Sequence, residues 1–352
     1  MKQLVKRLFK SLAARYDYYL ISKAWVLRYA EVRKSLGQLR VSQYEADHIQ
    51  RWSPLGFSVN SDTLNACYTI SEQEFVDFVP EELFEAVIEK KLNLKAPLFL
   101  QHKSFYNRIF PTGWFIEDHF HKIDGVYFSS AHEPLNNNDI KEMISTLQFP
   151  VVAKGSIDTA GGRDVSFPGN ASELEKALHD YDDIVIQPML KPHPYFKQFH
   201  DFGLNTIRAC LYRSVKTGKI HMLNTTLRIG KDGHLDNETQ GGLVCNIHEH
   251  GKLNDYVVDK YGKRFYEHPN SKIKFADCEP LPAYQALEEI SIKLAEMVPY
   301  THLYSLDLAM DEHGEWKLIE MNLKYQTIRF AQYAGRPFFA EFTDEVIEYC
   351  AR

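Results

Sequence analysis

Near the C-terminal end, Leu303 to Asn322 (LYSLDLAMDEHGEWKLIEMN) places two carboxylates and an amide where strand alternation would gather them. Leu303–Met310 and Glu315–Met321 are rich in strand formers, and Asp311-Glu312-His313-Gly314 between them is turn chemistry. In such a hairpin Ser305 and Asp307 share one face, while Tyr304, Leu306, Leu308 and Met310 share the other. Glu320 and Asn322 share a face of the returning strand. A turn centred between Glu312 and His313 puts Asp307 across from Leu318 and diagonal to Glu320, where two carboxylates can lean together over about 7–8 Å. The oxygen donors of Asp307, Glu320 and Asn322 suit a hard metal ion. Two unpaired like charges on a half-buried sheet would be costly, and a metal between them removes that cost. Either acid alone reads as an ordinary residue on a solvent-facing strand; their spacing favours the metal.

Basic residues with possible chemistry lie upstream. Phe149–Lys154 is a short strand-forming run that passes directly into Gly155-Ser156-Ile157-Asp158-Thr159-Ala160-Gly161-Gly162-Arg163. Strand, small-residue loop, strand is a geometry that brings backbone N–H groups over phosphates, with Lys154 adding a point charge. An ordinary Gly-Gly hairpin is an equal reading of these residues, and the chain has neither a G-x-x-x-x-G-K-[ST] nor a G-x-G-x-x-G sequence. Leu204–Tyr212 and Ile220–Gly230, joined by a turn at Lys216-Thr217-Gly218-Lys219, read as two long strands. Arg208 in mid-strand is an unusual choice unless it meets an anion. Arg228 is a second candidate, with a surface salt bridge as its bland alternative.

The elements that must position these groups are legible in outline. Asp183–Leu190 contains an apolar run suited to a buried strand. Ala171–Tyr181 reads as a helix capped by Asn170 or Ser172, and Leu281–Pro299 as a helix with one apolar stripe. His248-Glu249-His250 lacks further metal ligands at a recognisable spacing and reads as a solvated turn. Residues 1–97 look like a helical accessory region, with helical patterning to about residue 50 and a second helical stretch at Glu81–Lys91. Leu4, Val5, Leu8, Phe9 and Leu12 alternate with Lys2, Lys6, Arg7 and Lys10, so the first fifteen residues form a basic amphipathic helix. Packing against an acidic body is the favoured reading, and contact with an anionic membrane surface the other.

Composition limits the remaining classes. The 352 residues are 44% hydrophobic and 25% charged, a globular balance with room for two or three packed subdomains. Residues 1–40 carry ten Lys or Arg against two acids, a net of +8, which leaves −14 of the overall −6 for the rest. That acidic remainder argues against general nucleic-acid binding. Five scattered cysteines without C-x-x-C suggest neither a disulfide frame nor a zinc knuckle. No run is apolar enough to cross a bilayer, and a signal-peptide core is lacking, so a cytoplasmic, at most membrane-peripheral, protein is expected.

Asp307 followed by Glu thirteen and Asn fifteen residues later, on a hairpin, resembles the magnesium site of the ATP-grasp superfamily, the carboxylate-amine ligases that include D-alanyl-D-alanine ligase. Over roughly Leu98 to Gln332 the chain is most similar to the branch called sugar-transfer-associated ATP-grasp proteins. The resemblance implies an α+β fold of two subdomains closing on ATP, here 98–190 with a glycine-rich lid and 191–352 with the metal hairpin and C-terminal helix. It implies ATP and Mg2+, with magnesium on Asp307, Glu320 and Asn322. It places Lys103 and Lys154 on the nucleotide phosphates under a lid containing Gly161 and Gly162. Gln187 and the Met189-Leu190 backbone become adenine contacts, and Pro188 between them has no N–H to offer. Arg208, with Arg228 and Lys154, becomes the catalytic basic set. Asp236-Asn237 and Gly241-Gly242 would line the acceptor side. The activity implied is amide formation from a small-molecule or glycan carboxylate and an amine through an acyl phosphate, in polysaccharide or cell-surface glycan modification. A kinase acting on a sugar or other hydroxyl compound is the alternative, with Asp236 as its nameable base. A non-catalytic nucleotide-binding partner is the third, disfavoured by the intact Asp-Glu-Asn set.

Overall fold

A computed structural model of the chain describes residues 2–157, 164–201, 203–234, 236 and 241–352. Two antiparallel sheets organise it. The smaller contains β1 (Phe120–Ile123), β2 (Val126–Ser129), β3 (Val151–Gly155), β4 (Val165–Ser166) and β5 (Ile184–Pro188) in the order β2-β1-β5-β3-β4. The larger contains β6 (Ile207–Arg213), β7 (Ile220–Ile229), β8 (Leu243–Ile247), β9 (Leu253–Val258), β10 (Arg264–Phe265), β11 (Leu303–Met310) and β12 (Trp316–Asn322), in the order β10-β9-β8-β7-β6-β11-β12. The architecture is the expected α+β, with helices on the sheet faces.

Strand alternation decides what each face does. In the smaller sheet Phe120, Val151, Ala153, Ile184 and Ile186 pack under the helices Asn137–Thr146 and Ala171–Asp180. The second of these helices starts where Asn170 accepts the backbone N–H of Glu173. The intervening residues His121, Lys154 and Gln187 are therefore left on the opposite face. In the larger sheet Ile207, Ala209, Leu227, Ile229, Leu306 and Leu308 join Leu287, Leu294 and Ala295 of the helix Tyr284–Glu296 in one core. Tyr106, Phe110 and Phe115, from the segment before β1, fill the same core. Arg208, Cys210, Asn224, Thr226, Arg228, Ser305 and Asp307 belong to the other face.

Part of that other face is closed by helical segments from both ends of the chain. Leu83, Phe84, Val87 and Ile88 meet Phe338, Phe339 and Val346 over Cys210, Tyr212 and Leu303. The stretch expected as a helix at Glu81–Lys91 runs from Glu81 to Leu92 with a π-helical middle, Phe84–Ile88. The N-terminal helix, α1, is continuous from Lys2 to Leu36 and docks through Trp25, Tyr29 and Val32. All five cysteines are free, four of them buried and Cys278 half-buried.

Candidate functional site

The register of β11 and β12 differs from the regular hairpin expected from the sequence. Leu308 pairs with Leu318, but the next pair is Asp307 with Glu320, followed by Leu306 with Met321 and Ser305 with Asn322. A bulge at Ile319 supplies the extra residue. Its cause is the core: Leu318 and Met321 both pack on the side of Leu306 and Leu308, and three positions apart they can do so only if one residue is skipped. The correction matters for chemistry. Asp307 lies directly across from Glu320 rather than diagonal to it, and Ser305, Asp307, Glu320 and Asn322 share one face.

The two carboxylates are not the unpaired like charges from which a metal was inferred. Arg208, opposite Asp307 on β6, donates from Nε at 2.8 Å and from its guanidinium at 2.9 Å to the two oxygens of Asp307. Arg228 adds a third contact at 3.0 Å and also donates to the hydroxyl of Thr206. Asp307 is buried, which alone would raise its pKa; Arg208 and then Arg228 outweigh burial and hold it at about 2. Glu320, more open to solvent, pairs with Lys103 at 2.9 Å. Each acid thus has a cation, and the like-charge argument for a metal does not hold. Arg228 is no surface salt bridge either, since it reaches the same buried carboxylate as Arg208.

Lys103 opens a short 3-10 turn, Lys103–Phe105, and its backbone N–H donates to the carbonyl of Ser156 just beyond β3. That bond brings it beside Lys154. Burial lowers the Lys154 ammonium to about 8, and the nearby Lys103 charge pushes the same way, while Glu320 and Asp118 oppose both. The structure therefore joins Lys103 and Lys154 from one side with Arg208 and Arg228 from the other around Asp307 and Glu320. Anions presented here would meet four cations against two resident carboxylates.

A hard cation remains compatible with the donors. Among the described residues no three or more His, Cys, Asp or Glu side chains converge as a metal site. A metal would rest on Asp307, Glu320 and the amide of Asn322. All three can offer oxygen, and the Asn322 Nδ2 is buried without a hydrogen-bond partner, so that end of the amide is not tied to the protein.

Gln187 on β5 donates to Asp118 at 2.8 Å, and Asn107 donates to the same carboxyl at 2.9 Å. Burial raises the Asp118 pKa, against the pull of these donors and of Lys154. Beside it His121 stacks on His132 at 4.7 Å, and burial lowers the His121 ring to about 4, leaving it neutral near pH 7. The sequence reading missed Asn107, Asp118, His121 and His132. Their signal is weak, because the alternation in Asp118-His119-Phe120-His121 is that of any half-buried strand. Met189 is exposed and Leu190 half-buried where β5 exits towards the β11–β12 turn; there the His193 N–H donates to the carbonyl of Met310. Gly161 and Gly162 lie outside the described residues.

A space of about 10 Å³, room for about one water, opens on the polar face of the larger sheet. Arg208, Cys210, Asn224, Thr226, Arg228 and Thr327 line it. Asn224 Oδ1 is buried without a hydrogen-bond partner there, as are Asn246 Oδ1 and Gln326 Nε2 close by. Asp236, expected at the acceptor side, accepts both the N–H and the hydroxyl of Thr206 at 2.6 Å. It fixes the residue that in turn accepts from Arg228.

Comparison with known proteins gives one curated relative, a 3-dehydroquinate dehydratase of Methanobrevibacter smithii, 41% identical over 78 residues, which are 20% of this chain and 32% of that protein. Similar solved structures include the biotin carboxylase domain of a Hydrogenobacter thermophilus 2-oxoglutarate carboxylase with MgADP, ADP and bicarbonate (15% identity, TM-score 0.42, 71% of this chain and 45% of that one). Another is an N5-carboxyaminoimidazole synthase of Aspergillus clavatus with ADP and 5-aminoimidazole ribonucleotide (11% identity, TM-score 0.40, 73% and 52%). The chain spans about a third of the curated relative's length and about half that of these structures. The model of the sugar-transfer associated ATP-grasp family matches residues 98–345, a stretch that holds both sheets and every ion pair described above, and the chain belongs to that family.

Proposed function

We propose that the chain is an ATP-dependent carboxylate-amine ligase that forms an amide through an acyl phosphate, in polysaccharide or cell-surface glycan modification. The observation that carries this reading is the meeting of Lys103, Lys154, Arg208 and Arg228 around Asp307 and Glu320. In it, Lys103 and Lys154 hold the nucleotide phosphates beneath a lid containing Gly161 and Gly162. Gln187 and the backbone of Met189-Leu190 take the adenine. A substrate carboxylate oxygen attacks the γ-phosphorus and ADP leaves; an amine then attacks the acyl carbon, and phosphate leaves carrying the proton the amine gives up. Arg208 and Arg228 face the charge that develops on the transferred group. Asp307, Glu320 and Asn322 would hold Mg2+, which supplies charge neutralisation between phosphate oxygens when bound.

One functional group of the acceptor, a carboxylate or a hydroxyl, would replace the water that fits between Arg208, Asn224 and Arg228. The directional groups around it, Asn224, Asn246 and Gln326, suit a hydroxyl-rich molecule better than an apolar one. Asp236 does not favour the kinase alternative, because a carboxylate accepting two short hydrogen bonds from Thr206 is poorly placed to take a proton from a substrate hydroxyl. The test is ADP release by the purified chain against mixed amino acids and uronic acids. A ligase releases free phosphate only when a carboxylate and an amine are both present. Phosphate retained on a hydroxyl product, with no need for an amine, would replace this reading with the kinase one.

A further inference from the structure

The N-terminal helix carries two apolar stripes on opposite sides, and the fold uses one. At 3.6 residues per turn, Tyr18, Trp25, Tyr29, Val32 and Leu36 fall on one side of α1; the first four are buried and Leu36 packs partly buried among them. Phe9, Leu12, Tyr16, Leu20 and Leu27 fall on the other side, exposed by 67%, 55%, 65%, 48% and 70%. Among the described residues, the expected packing of the first fifteen residues on the acidic body is not seen. Every described side chain from Lys6 to Tyr16 is exposed. A row of large apolar side chains left in water along several turns is what an interaction surface presents.

Charge selects the occupant. From Lys2 to Leu36 the helix carries nine Lys or Arg and two acids, a net of +7. Exposed Lys6 and Lys23 lie within or beside the apolar row, and Lys23 extends over the ring of Tyr19. A second copy of the chain would bring an equal +7 against this face, and such like-charge juxtaposition is costly. An anionic surface gains from the same charges, with the lysine stems reaching along the apolar row to keep their ammonium groups in water. Among the described residues no helix is long and apolar enough to cross a membrane.

We propose that the exposed face of α1 lies in the plane of an anionic lipid surface, with the body of the protein attached through the opposite stripe. The chemistry recognised is a negatively charged bilayer, the apolar row entering the acyl boundary and the cations meeting lipid phosphates and carboxylates. On the ligase reading proposed above, attachment would hold that site at the lipid surface with no membrane-crossing helix among the described residues.

The test is co-sedimentation of the full chain with vesicles of phosphatidylserine and phosphatidylcholine, against vesicles of phosphatidylcholine alone. Binding to the first, weak binding to the second and release towards 1 M salt, where screening acts within about 3 Å, are expected. Leu12→Glu with Leu20→Glu should abolish binding while circular dichroism keeps the helix signal, since both side chains are exposed. Lys6→Glu with Lys23→Glu should weaken it by at least roughly fivefold per cation. Equal binding to both vesicle types, unchanged binding by the Leu12/Leu20 variant, or a stable dimer in sedimentation velocity that binds no vesicles would each overturn the proposal. The last result would assign the face to a second copy.

Discussion

Arg208 and Asp307 occupy paired positions on β6 and β11 and are joined by two hydrogen bonds of 2.8 and 2.9 Å. The acid proposed to carry a cation is thus held by the base proposed to meet the phosphoryl group. On the proposed function, a cation held by Asp307 would compete with its guanidinium contacts, and Arg208 and Arg228 would then be released to meet phosphates. The trade is favourable only with both components present, because either alone would leave a buried charge unmatched.

This exchange gives the first prediction. The Nε–H resonance of Arg208 should shift when a non-hydrolysable ATP analogue and magnesium are added together, and change little with magnesium alone. Arg208→Met should lower kcat by at least about 100-fold, the cost typical of losing one preorganised donor. An Arg208 resonance indifferent to the complete ligand would remove this arginine from the site.

Asp307 and Glu320 should behave differently despite facing each other. Glu320→Gln removes a partly exposed carboxylate from a buried lysine, so magnesium-dependent turnover should be lost at a smaller stability cost than at Asp307, whose carboxylate matches two arginines. Asp307→Asn should also lose turnover, but it strips the charge that matches two largely buried arginines and should cost about 3 kcal/mol in urea unfolding. Its pH dependence has a definite sign. The folded pKa of about 2 lies below the ordinary 3.8, so the carboxylate's contribution is complete above about pH 4 and lost as pH falls through 2. The Asn variant should lack that acid-dependent step; equal stability of both variants at pH 7 would contradict the buried pairing.

Lys154 sets a second pH dependence. Burial, reinforced by Lys103, lowers its pKa to about 8, so in the free protein its charge is present below that pH and lost above it. ATP-analogue affinity should be flat below about pH 7 and weaken above 8, approaching roughly tenfold per pH unit if binding requires the charged form. Lys154→Arg keeps its charge throughout and should flatten the profile. An unchanged slope in the Arg variant would place the titrating group elsewhere.

How much of this was legible follows from what sequence patterns encode. The β11–β12 hairpin and the shared face of Asp307, Glu320 and Asn322 follow from strand composition and alternation. The bulge at Ile319 did not, because only the core positions of Leu318 and Met321 demand it, and a regular period of two hides a skipped residue. Arg208 stood out as a mid-strand cation, but its partner was invisible: β6 and β11 are about a hundred positions apart, and nothing local specifies that they pair. Lys103, the partner of Glu320, lies farther off still, so neither acid shows its cation in the local sequence. Asp118 meets Gln187 only because β1, which it precedes, inserts beside β5. Tertiary pairing, rather than local propensity, assembled the half of the site that the sequence did not display.

The last prediction concerns the loop between β3 and β4. Its ends are tied: the N–H of Gly155 donates to the carbonyl of Asp164 at 2.8 Å, and the N–H of Lys103 to that of Ser156 at 3.2 Å. That neck sits beside Lys103 and Lys154, and the residues between its ends are proposed to cover phosphates. If they do, amide exchange over residues 157–163 should slow on adding ATP analogue with magnesium, while the Gly155 amide, already hydrogen-bonded, serves as an internal reference. Gly161→Val would block close approach of the backbone to a phosphate and any positive φ, so it should reduce turnover by far more than it alters thermal stability. The measurement separates two loops of identical sequence, because a plain hairpin has no reason to respond to nucleotide. Exchange that ignores the ligand while Lys154→Ala still binds the analogue normally would move the phosphates away from β3 and leave Lys103 with the two arginines as their only proposed holders.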